Sequence, residues 1–250
     1  MLARLLTGGH RVVAFDKDPA RTELAKKTGA EAASSPAAVA GASQAVFLCL
    51  PDADAVHDAV LGSDGCVAGG MGGKLLIDTS SIDPKLTCEF AARLAHEASG
   101  RWIDAPVSGG TRGATDGTLV AFLGGADEDV VAARELIARF ANRLVHLGPV
   151  GCGQWVKLCN QAIICGTMAL WTEALAIGRL GGIDPHVVVA ALEGARADSP
   201  VRAAFGNELA TGSFVPSSNL RKDMASVLAR AGEGGCATPV LSAAAAMFRS

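Results

Sequence analysis

The feature that most constrains this chain is the alternation of short apolar runs with amphipathic stretches over its first 150 residues. The apolar runs have the composition of strands covered on both faces, and they span residues 11–15, 45–50, 74–79, 101–107, 119–125 and 143–147. Between them, stretches 19–28, 84–98 and 128–141 each begin near a proline or an acid, as helices commonly do. This order predicts an α/β fold with a doubly wound parallel sheet.

The pattern changes after the segment GPVGCG at residues 148–153. No turn signal between residues 154 and 180 is strong enough to end a helix, and no strand-like run follows. The later stretches typical of helices are 184–192, 200–210, 216–231 and 239–249. We therefore expect an α/β domain over residues 1–150 and an all-α domain over residues 151–250, entered by one long helix.

Composition narrows the classes of function. Hydrophobic residues make up 50% of the 250 residues and charged residues 19%, which is typical of a globular protein with a substantial core. The net charge of −3, the scattered basic residues and the absence of tyrosine argue against a nucleic-acid partner. No uninterrupted apolar run approaches the ~18 residues of a membrane span, so we expect no membrane partner.

The cysteines and histidines show no metal-binding pattern. The seven cysteines form no C-x-x-C pair and the five histidines are not at ligand spacing, so we expect no metal site. Most of the cysteines lie in apolar stretches, where they should behave as small hydrophobic residues. A reducing compartment fits this usage, which predicts a cytoplasmic location, or a mitochondrial one in a eukaryote.

Three segments follow predicted strands, at the sheet edge where open α/β folds bind ligands. Asp16 directly follows the first run, where an acid accepts hydrogen bonds from a ribose hydroxyl and disfavours the 2′-phosphate of NADP, a preference that Lys17 weakens. A polar turn capping the next helix explains Asp16 equally well. Leu50 and Pro51 end the second run, and Ser81 lies in a hydroxyl-rich segment whose commoner use is helix capping.

A glycine-rich segment, DAPVSGGTRGATDGTL, occupies residues 104–119. The strand in it ends in Ser108, Gly109 and Gly110. Glycine allows positive φ and close approach of the backbone, so exposed N–H groups could face an anion such as a carboxylate. We favour anion binding over a plain turn.

The segment GPVGCGQWVKLCNQ begins the long helix and carries three polar side chains close together. Lys157 lies three residues before Asn160 and four before Gln161, so all three lie near one face of the helix. A buried lysine has its charged form disfavoured and can exchange protons near neutral pH. A core-helix lysine that extends to the surface is an equally good interpretation.

Taken in order, these segments resemble the β-hydroxyacid dehydrogenases, a family that includes 3-hydroxyisobutyrate dehydrogenase and tartronate semialdehyde reductase. The resemblance implies a Rossmann-like domain, an NAD cofactor with NADP as the alternative, and a small carboxylate substrate. It also implies that Lys157 is the catalytic proton relay, that Asn160 and Gln161 orient the substrate, and that Ser108, Gly109 and Gly110 hold its carboxylate.

The remaining roles implied by the resemblance concern the cofactor and assembly. The cofactor contacts would be Asp16, Leu50, Pro51, Ser81, Lys222 and Asp223, the last two in the segment NLRKDMASVL. The family also implies a homo-oligomer, a dimer or a tetramer. The segment MLARLLTGGH aligns with the family's first helix. We therefore expect that the first strand and its glycine-rich loop are missing from this chain, and that it stops short of the family's C-terminus.

The function predicted by the residues and the resemblance together is hydride transfer between a nicotinamide and a small 3-hydroxy acid or its semialdehyde. An alternative is a catalytically impaired member of the family that serves as a binding or scaffold protein. A 6-phosphogluconate dehydrogenase is less well supported, because no basic cluster for a sugar phosphate lies near the lysine helix.

Overall fold

The structure is a computed structural model and describes residues 1–248. The chain divides into two compact units, Met1–Lys157 and a second that begins at Leu158. The domain limits expected from the sequence, 1–150 and 151–250, stay a prediction.

The first unit contains eight short strands, arranged in three groups. They are β1 Val13–Ala14, β2 Glu31–Ala32, β3 Ala45–Leu48, β4 Leu75–Asp78, β5 Arg101–Asp104, β6 Val107–Ser108, β7 Leu119–Leu123 and β8 Ala141–His146. β1 pairs with β2, β4 pairs with both β3 and β5, and β7 pairs with β8, all in parallel. β6 is antiparallel to β7, and an isolated antiparallel bridge joins Asp104 to Gly124.

Helices connect these strands, and several begin at capping side chains. The helices are α1 Leu2–Thr7, α2 Pro19–Thr28, α3 Pro36–Ala42, α4 Ala53–Leu61, α5 Pro84–Ala98, α6 Gly110–Asp116, α7 Asp127–Ile137 and the start of α8, which spans Cys152–Leu180. The side chains of Asp18, Ser35, Asp52 and Asp83 each accept a backbone N–H at the first turn of α2 to α5. Such caps satisfy N–H groups that have no partner within the helix.

Two hydrophobic cores cover the central strands on both faces. Leu76 and Ile77 are consecutive in β4 and therefore point to opposite faces, yet both are fully buried. Leu76 packs in one core with Phe90 of α5, and Ile77 in the other with Ile137 of α7. Burial on both faces is the property of a doubly wound sheet, and the α/β fold predicted from the sequence is confirmed.

The second unit is helical. It contains the rest of α8, α9 Pro185–Ala191, α10 Pro200–Thr211, α11 Ser218–Glu233, α12 Pro239–Ala244 and a 3₁₀ turn at Ala245–Phe248. Its core includes Met168, Trp171 and Leu175 on one face of α8. The predicted helix 239–249 is helical in two pieces as far as Phe248, and Arg249 lies outside the described residues.

Several element predictions were wrong in detail. The single run predicted for residues 101–107 divides into β5 and β6 because Pro106, between them, has no N–H to donate to a sheet and the chain turns there to pair with β7. The two residues of β2 carry no strand-like pattern. The helices α3, α4 and α6 were not predicted, and α7 ends at Ile137 rather than near residue 141.

The expectation for the cysteines also needs correction. Only two of the seven cysteines are buried, Cys66 and Cys165, whereas four are exposed: Cys49, Cys88, Cys159 and Cys236. Burial raises the pKa of the Cys66 thiol to about 11 and that of Cys165 to about 12. Within the described chain, α8 is long and apolar enough to cross a membrane by length and composition. The core helices of soluble proteins pass the same test, so the length and composition of α8 are weak evidence for a membrane span.

Candidate active site

Three parallel strands end at the same level and define the edge on which the candidate site is built. Leu48 at the end of β3 pairs with Asp78 of β4, and Asp78 pairs with Asp104 of β5. The segments that follow β3 and β4 remain connected beyond the sheet, because the N–H of Leu50 donates to the hydroxyl of Ser80 at 2.9 Å. Leu50, Pro51 and Ser81 therefore lie along one sheet edge, as ligand contacts in open α/β folds do.

Asp16 lies two residues after the end of β1 and is exposed. One of its carboxylate oxygens, Oδ1, accepts the N–H of Asp18 at 2.9 Å. The residue that caps α2 is Asp18, whose Oδ1 accepts the N–H of Ala20 at 2.9 Å. Capping of α2 therefore does not require Asp16, which remains available at the strand end for a ribose hydroxyl. Lys17 lies 3.3 Å from Asp58 in an exposed ion pair.

The Ser-Gly-Gly loop has a backbone that only glycine adopts easily. Gly109 has φ of 127° and Gly110 has φ of 64°, both in the region that side chains disfavour. A Cβ placed on Gly110 would meet nothing within 4 Å, so the space above this residue is open. Ser108, at the end of β6, is half-buried beside it. A small anion could approach the backbone here without displacing a side chain.

Lys157 is tied to this loop. Its Nζ donates to the carbonyl oxygen of Val107 at 2.9 Å, and Val107 immediately precedes Ser108. The lysine side chain is half-buried, in the second turn of α8. The structure thus brings the predicted proton-transfer group and the predicted carboxylate-binding loop together within the first unit.

Two residues that sequence reasoning did not single out hold the start of α8. Asp104 is fully buried, and its Oδ1 and Oδ2 accept the N–H groups of Gly151 at 2.7 Å and Gln154 at 2.9 Å. The side chain of Gln154 donates to Ser80 O at 2.9 Å and accepts the N–H of Ile82 at 3.3 Å. The available signals were an acid in an apolar strand and an amide at the start of an apolar helix.

Burial sets the charge behaviour of Asp104. Desolvation raises the pKa of this carboxyl to about 6, although the two N–H donors from Gly151 and Gln154 oppose the shift. Asp78, paired with Asp104 in the sheet, adds a smaller upward effect through charge repulsion.

The second unit joins four of the predicted residues in one chain of polar contacts. Asn160 Nδ2 donates to Gln161 Oε1 at 2.9 Å, and Gln161 Nε2 donates to Asp223 Oδ2 at 2.7 Å. Lys222 Nζ lies 3.6 Å from Asp223 Oδ1. Gln161 and Asp223 are both buried, so their orientation is determined by each other.

No trio of His, Cys, Asp or Glu in residues 1–248 converges in a way that could hold a metal ion. The polar groups of the candidate site are instead amides, hydroxyls, the amines of Lys157 and Lys222, and the carboxylates of Asp16, Asp104 and Asp223.

Comparison with known proteins decides the family. Residues 1–148 match the family described as the NAD binding domain of 6-phosphogluconate dehydrogenase. Residues 151–250 match the family described as the NAD-binding domain of NADP-dependent 3-hydroxyisobutyrate dehydrogenase. The chain is 32% identical over 216 residues to 2-hydroxy-3-oxopropionate reductase of Escherichia coli, an alignment that covers 86% of this chain and 73% of the relative. The chain belongs to the β-hydroxyacid dehydrogenase family.

Other relatives agree with this family. The chain is 38% identical over 191 residues to 3-hydroxyisobutyrate dehydrogenase of Pseudomonas aeruginosa, covering 75% of this chain and 63% of the relative. It spans 56% of a probable mitochondrial 3-hydroxyisobutyrate dehydrogenase of Dictyostelium discoideum, at 35% identity over 72% of this chain. The fold matches the crystal structure of 3-hydroxyisobutyrate dehydrogenase from Salmonella typhimurium with a TM-score of 0.88 at 24% identity, over 99% of this chain and 87% of the other.

The cofactor is a nicotinamide dinucleotide, NAD(P), since both matching families are described as NAD-binding. The described residues fit such a group at two points. Asp16 offers an exposed carboxylate shortly after β1, and Leu50 and Pro51 follow β3 at the sheet edge, where the N–H of Leu50 donates to the Ser80 hydroxyl. Rossmann-type sheets bind dinucleotides at the edge formed by the carboxyl ends of their strands, and both features belong to that edge.

Proposed function

We propose that this protein is an NAD(P)-dependent oxidoreductase that transfers a hydride between the nicotinamide and a small 3-hydroxy acid or its semialdehyde. The observation that carries the proposal is the 2.9 Å hydrogen bond from Lys157 Nζ to Val107 O, one residue before the Ser108–Gly110 loop. This bond holds the Lys157 amine beside a loop whose backbone is open at Gly110, which supports proton transfer to a substrate whose carboxylate binds there. The family relatives named 3-hydroxyisobutyrate dehydrogenase and 2-hydroxy-3-oxopropionate reductase support the same substrate class.

In this mechanism, the loop and the lysine act on opposite ends of a short substrate. Bound NAD(P) supplies or accepts the hydride. The N–H groups around Gly109 and Gly110 and the hydroxyl of Ser108 bind the substrate carboxylate. Lys157 Nζ gives a proton to the substrate oxygen in reduction and takes it back in oxidation. Val107 O holds the lysine amine at the loop, which orients it toward a substrate bound there.

The other predicted residues have supporting roles in the proposal. Asn160 and Gln161 orient the substrate, and Asp223 holds the amide of Gln161. Lys222 and Asp223 contribute to cofactor binding. Asp16, Leu50, Pro51 and Ser81 contact the cofactor, and the acid at Asp16 favours NAD over NADP.

We also propose that the chain forms a homo-oligomer through one face of α8. Ile163, Leu170 and Ile177 recur every seven residues on this helix and are 70%, 59% and 68% exposed. Apolar residues at a seven-residue repeat form a stripe that a second helix covers well. The spacing is symmetric about Leu170, so two copies could pair in antiparallel fashion with Ile163 against Ile177. For location, we propose a reducing compartment, the cytoplasm or the mitochondrion, consistent with seven free cysteines.

The test is turnover of the two substrates that the relatives' names provide. The purified chain is assayed with 3-hydroxyisobutyrate and NAD or NADP, and with 2-hydroxy-3-oxopropionate and NADH or NADPH, by absorbance of the reduced nicotinamide. We expect Lys157→Ala to lower kcat by about 100-fold or more, the usual contribution of a positioned proton donor.

The matched control is Lys74→Ala. Lys74 is the counterpart of Lys157 in geometry, because its Nζ donates to a backbone carbonyl, that of Ala40, at 2.7 Å. Lys74 has no part in the proposed proton transfer, so Lys74→Ala should leave kcat within about twofold of the wild type. Equal loss in both variants would contradict the role of Lys157. Dinucleotide binding without turnover of any hydroxy acid would support the scaffold alternative instead.

A further inference from the structure

We propose that Asp104 is a positioning residue for Lys157, acting by fixing the first turn of α8. The inference rests on the proposed role of Lys157 in proton transfer. Asp104 is neither one of the loop residues Ser108–Gly110 nor one of the proposed cofactor contacts, and the inference assigns to this buried acid of the DAPVSGG segment a role of its own.

Asp104 accepts a pair of hydrogen bonds at the start of α8. Asp104 is the last residue of β5, and Gly151 and Gln154 flank the start of α8. Both carboxylate oxygens are used, one for each N–H, at 2.7 and 2.9 Å. N–H groups in the first turn of a helix lack partners within it, and a negative group there is favoured by the helix dipole. The carboxylate therefore ties the helix start directly to the end of a central strand.

The carboxylate of Asp104 has no room to move. A Cβ on Gly153 would lie 2.8 Å from Asp104 Oδ2 and would contact the carbonyl oxygen of Phe122. A Cβ on Gly124 would press on Asp104 Oδ1 and lie 2.8 Å from Pro149 O. Two glycines thus bring backbone against the acid on both sides. Such tight packing fixes the position of the helix start as well as its hydrogen bonds.

The first turns of α8 connect Asp104 to Lys157. Gln154 lies three residues before Lys157, so one turn of helix separates the bond at Asp104 from the side chain that reaches Val107. Val107 in turn lies three residues after Asp104 along the chain. The contacts form a closed ring that runs from Asp104 through α8 to Lys157 and back through Val107. The Gln154 side chain adds a link to Ser80 and Ile82.

Such a ring sets both the depth and the rotation of α8 relative to the loop. Breaking it at Asp104 removes the link between the start of α8 and the end of β5, so the position of Lys157 along the helix is less firmly fixed. A misplacement of about 1 Å in a reacting group can cost about 100-fold in rate, so a residue that prevents it has a measurable effect on turnover.

The experiment measures the freedom of Lys157 directly, with the full chain and no substrate or cofactor. Competitive acetylation at pH 8 is followed by mass spectrometry, and the rate at Lys157 is divided by the rate at Lys74. Both amines donate to a backbone carbonyl, so Lys74 is an internal reference. In Asp104→Asn we expect the ratio to rise by about 2- to 10-fold, the equivalent of one net hydrogen bond.

The matched control is Asp129→Asn. Asp129 is likewise a buried carboxylate of the first unit, held by Arg101 at 2.7 Å. Its loss should leave the ratio unchanged. An unchanged ratio in Asp104→Asn, or a parallel rise at both lysines, would overturn the proposal, because general loosening exposes both amines. If Asp104→Asn does not fold, Gly151→Ala serves instead, since its added Cβ would lie 2.9 Å from Cys88 Sγ and shift one of the two donors.

A kinetic readout separates this inference from the proposed function. If the wild-type chain turns over, Asp104→Asn should lower kcat by about 10-fold or more while the KM for the dinucleotide changes little, because only the proton-transfer group is misplaced. If the wild-type chain shows no turnover, the proposed function fails while the labelling ratio still decides the role of Asp104.

Discussion

Gly153 lies where the strand edge and the start of α8 are closest, and its replacement by alanine is a sharp test of that packing. A Cβ there would contact Phe122 O and would lie 2.8 Å from Asp104 Oδ2 and 3.0 Å from Asp104 O. Phe122 O and Asp104 O are backbone atoms of β7 and β5, and Asp104 Oδ2 belongs to an enclosed side chain. None of the three can therefore turn away as the end of a flexible side chain would. The helix must shift to accept the methyl group.

The magnitude follows from two costs and one small gain. Overpacking by a methyl group costs about 1–3 kcal/mol. Weakening the bonds that Asp104 accepts costs about 1–3 kcal/mol more. The greater helix propensity of alanine returns at most about 1 kcal/mol. We expect Gly153→Ala to lower the free energy of unfolding by about 1–5 kcal/mol and to reduce turnover with it, since Lys157 lies four residues further along the helix.

The matched control is Gly41→Ala, in helix α3 of the same unit. A Cβ on Gly41 would meet only Gly69 O, at 3.6 Å, which is ordinary contact. This change should raise stability by up to about 1 kcal/mol, because alanine loses less backbone entropy in a helix. Urea unfolding followed by far-UV circular dichroism compares the variants. A Gly153→Ala protein with stability within about 0.5 kcal/mol of the wild type would refute the packing argument.

Two further predictions follow from the burial of Asp104 and from the exposure of Leu170. Because burial raises the pKa of Asp104 from 3.8 to about 6, the folded state holds a proton that the unfolded chain releases earlier. Its contribution to stability is therefore complete below about pH 4 and is lost as the pH rises to about 6, by at most about 3 kcal/mol. Urea unfolding between pH 3.5 and 7 should show this decline in the wild type and not in Asp104→Asn, and parallel curves would contradict it. Leu170→Glu should shift the molar mass by light scattering toward the monomer, with exposed Leu24→Glu as the control, and an unchanged mass would remove α8 as the interface.

Local signals in the sequence predicted two of the helices with their limits. The limits of α2 and α5 agree with the stretches 19–28 and 84–98 expected from the sequence. Each begins at a proline that follows an acid, and the side chains of Asp18 and Asp83 do cap the first turns. These contacts join residues two positions apart, so the information for them is local and can be read from sequence.

The carboxylate loop and the lysine helix were also predictable as segments. Glycines at residues 109 and 110 adopt the positive φ that their type suggested. Lys157, Asn160 and Gln161 lie on one continuous helix, as their spacing required. Their assignment to carboxylate binding and proton transfer remains a prediction that turnover of the Lys157 variant would test.

What the sequence by itself determined is the α/β class, the limits of helices such as α2 and α5, and the positive φ of the glycines in the Ser-Gly-Gly loop, because periodicity, capping and glycine conformation are local properties. Only the tertiary structure decided that Asp104 receives N–H groups 47 and 50 residues away and that Lys157 reaches Val107, 50 residues earlier. It also decided which apolar residues of α8 are buried, such as Met168, and which are exposed, such as Leu170. The physical reason is that burial and long-range hydrogen bonds depend on which elements pack together, and no single segment contains that information.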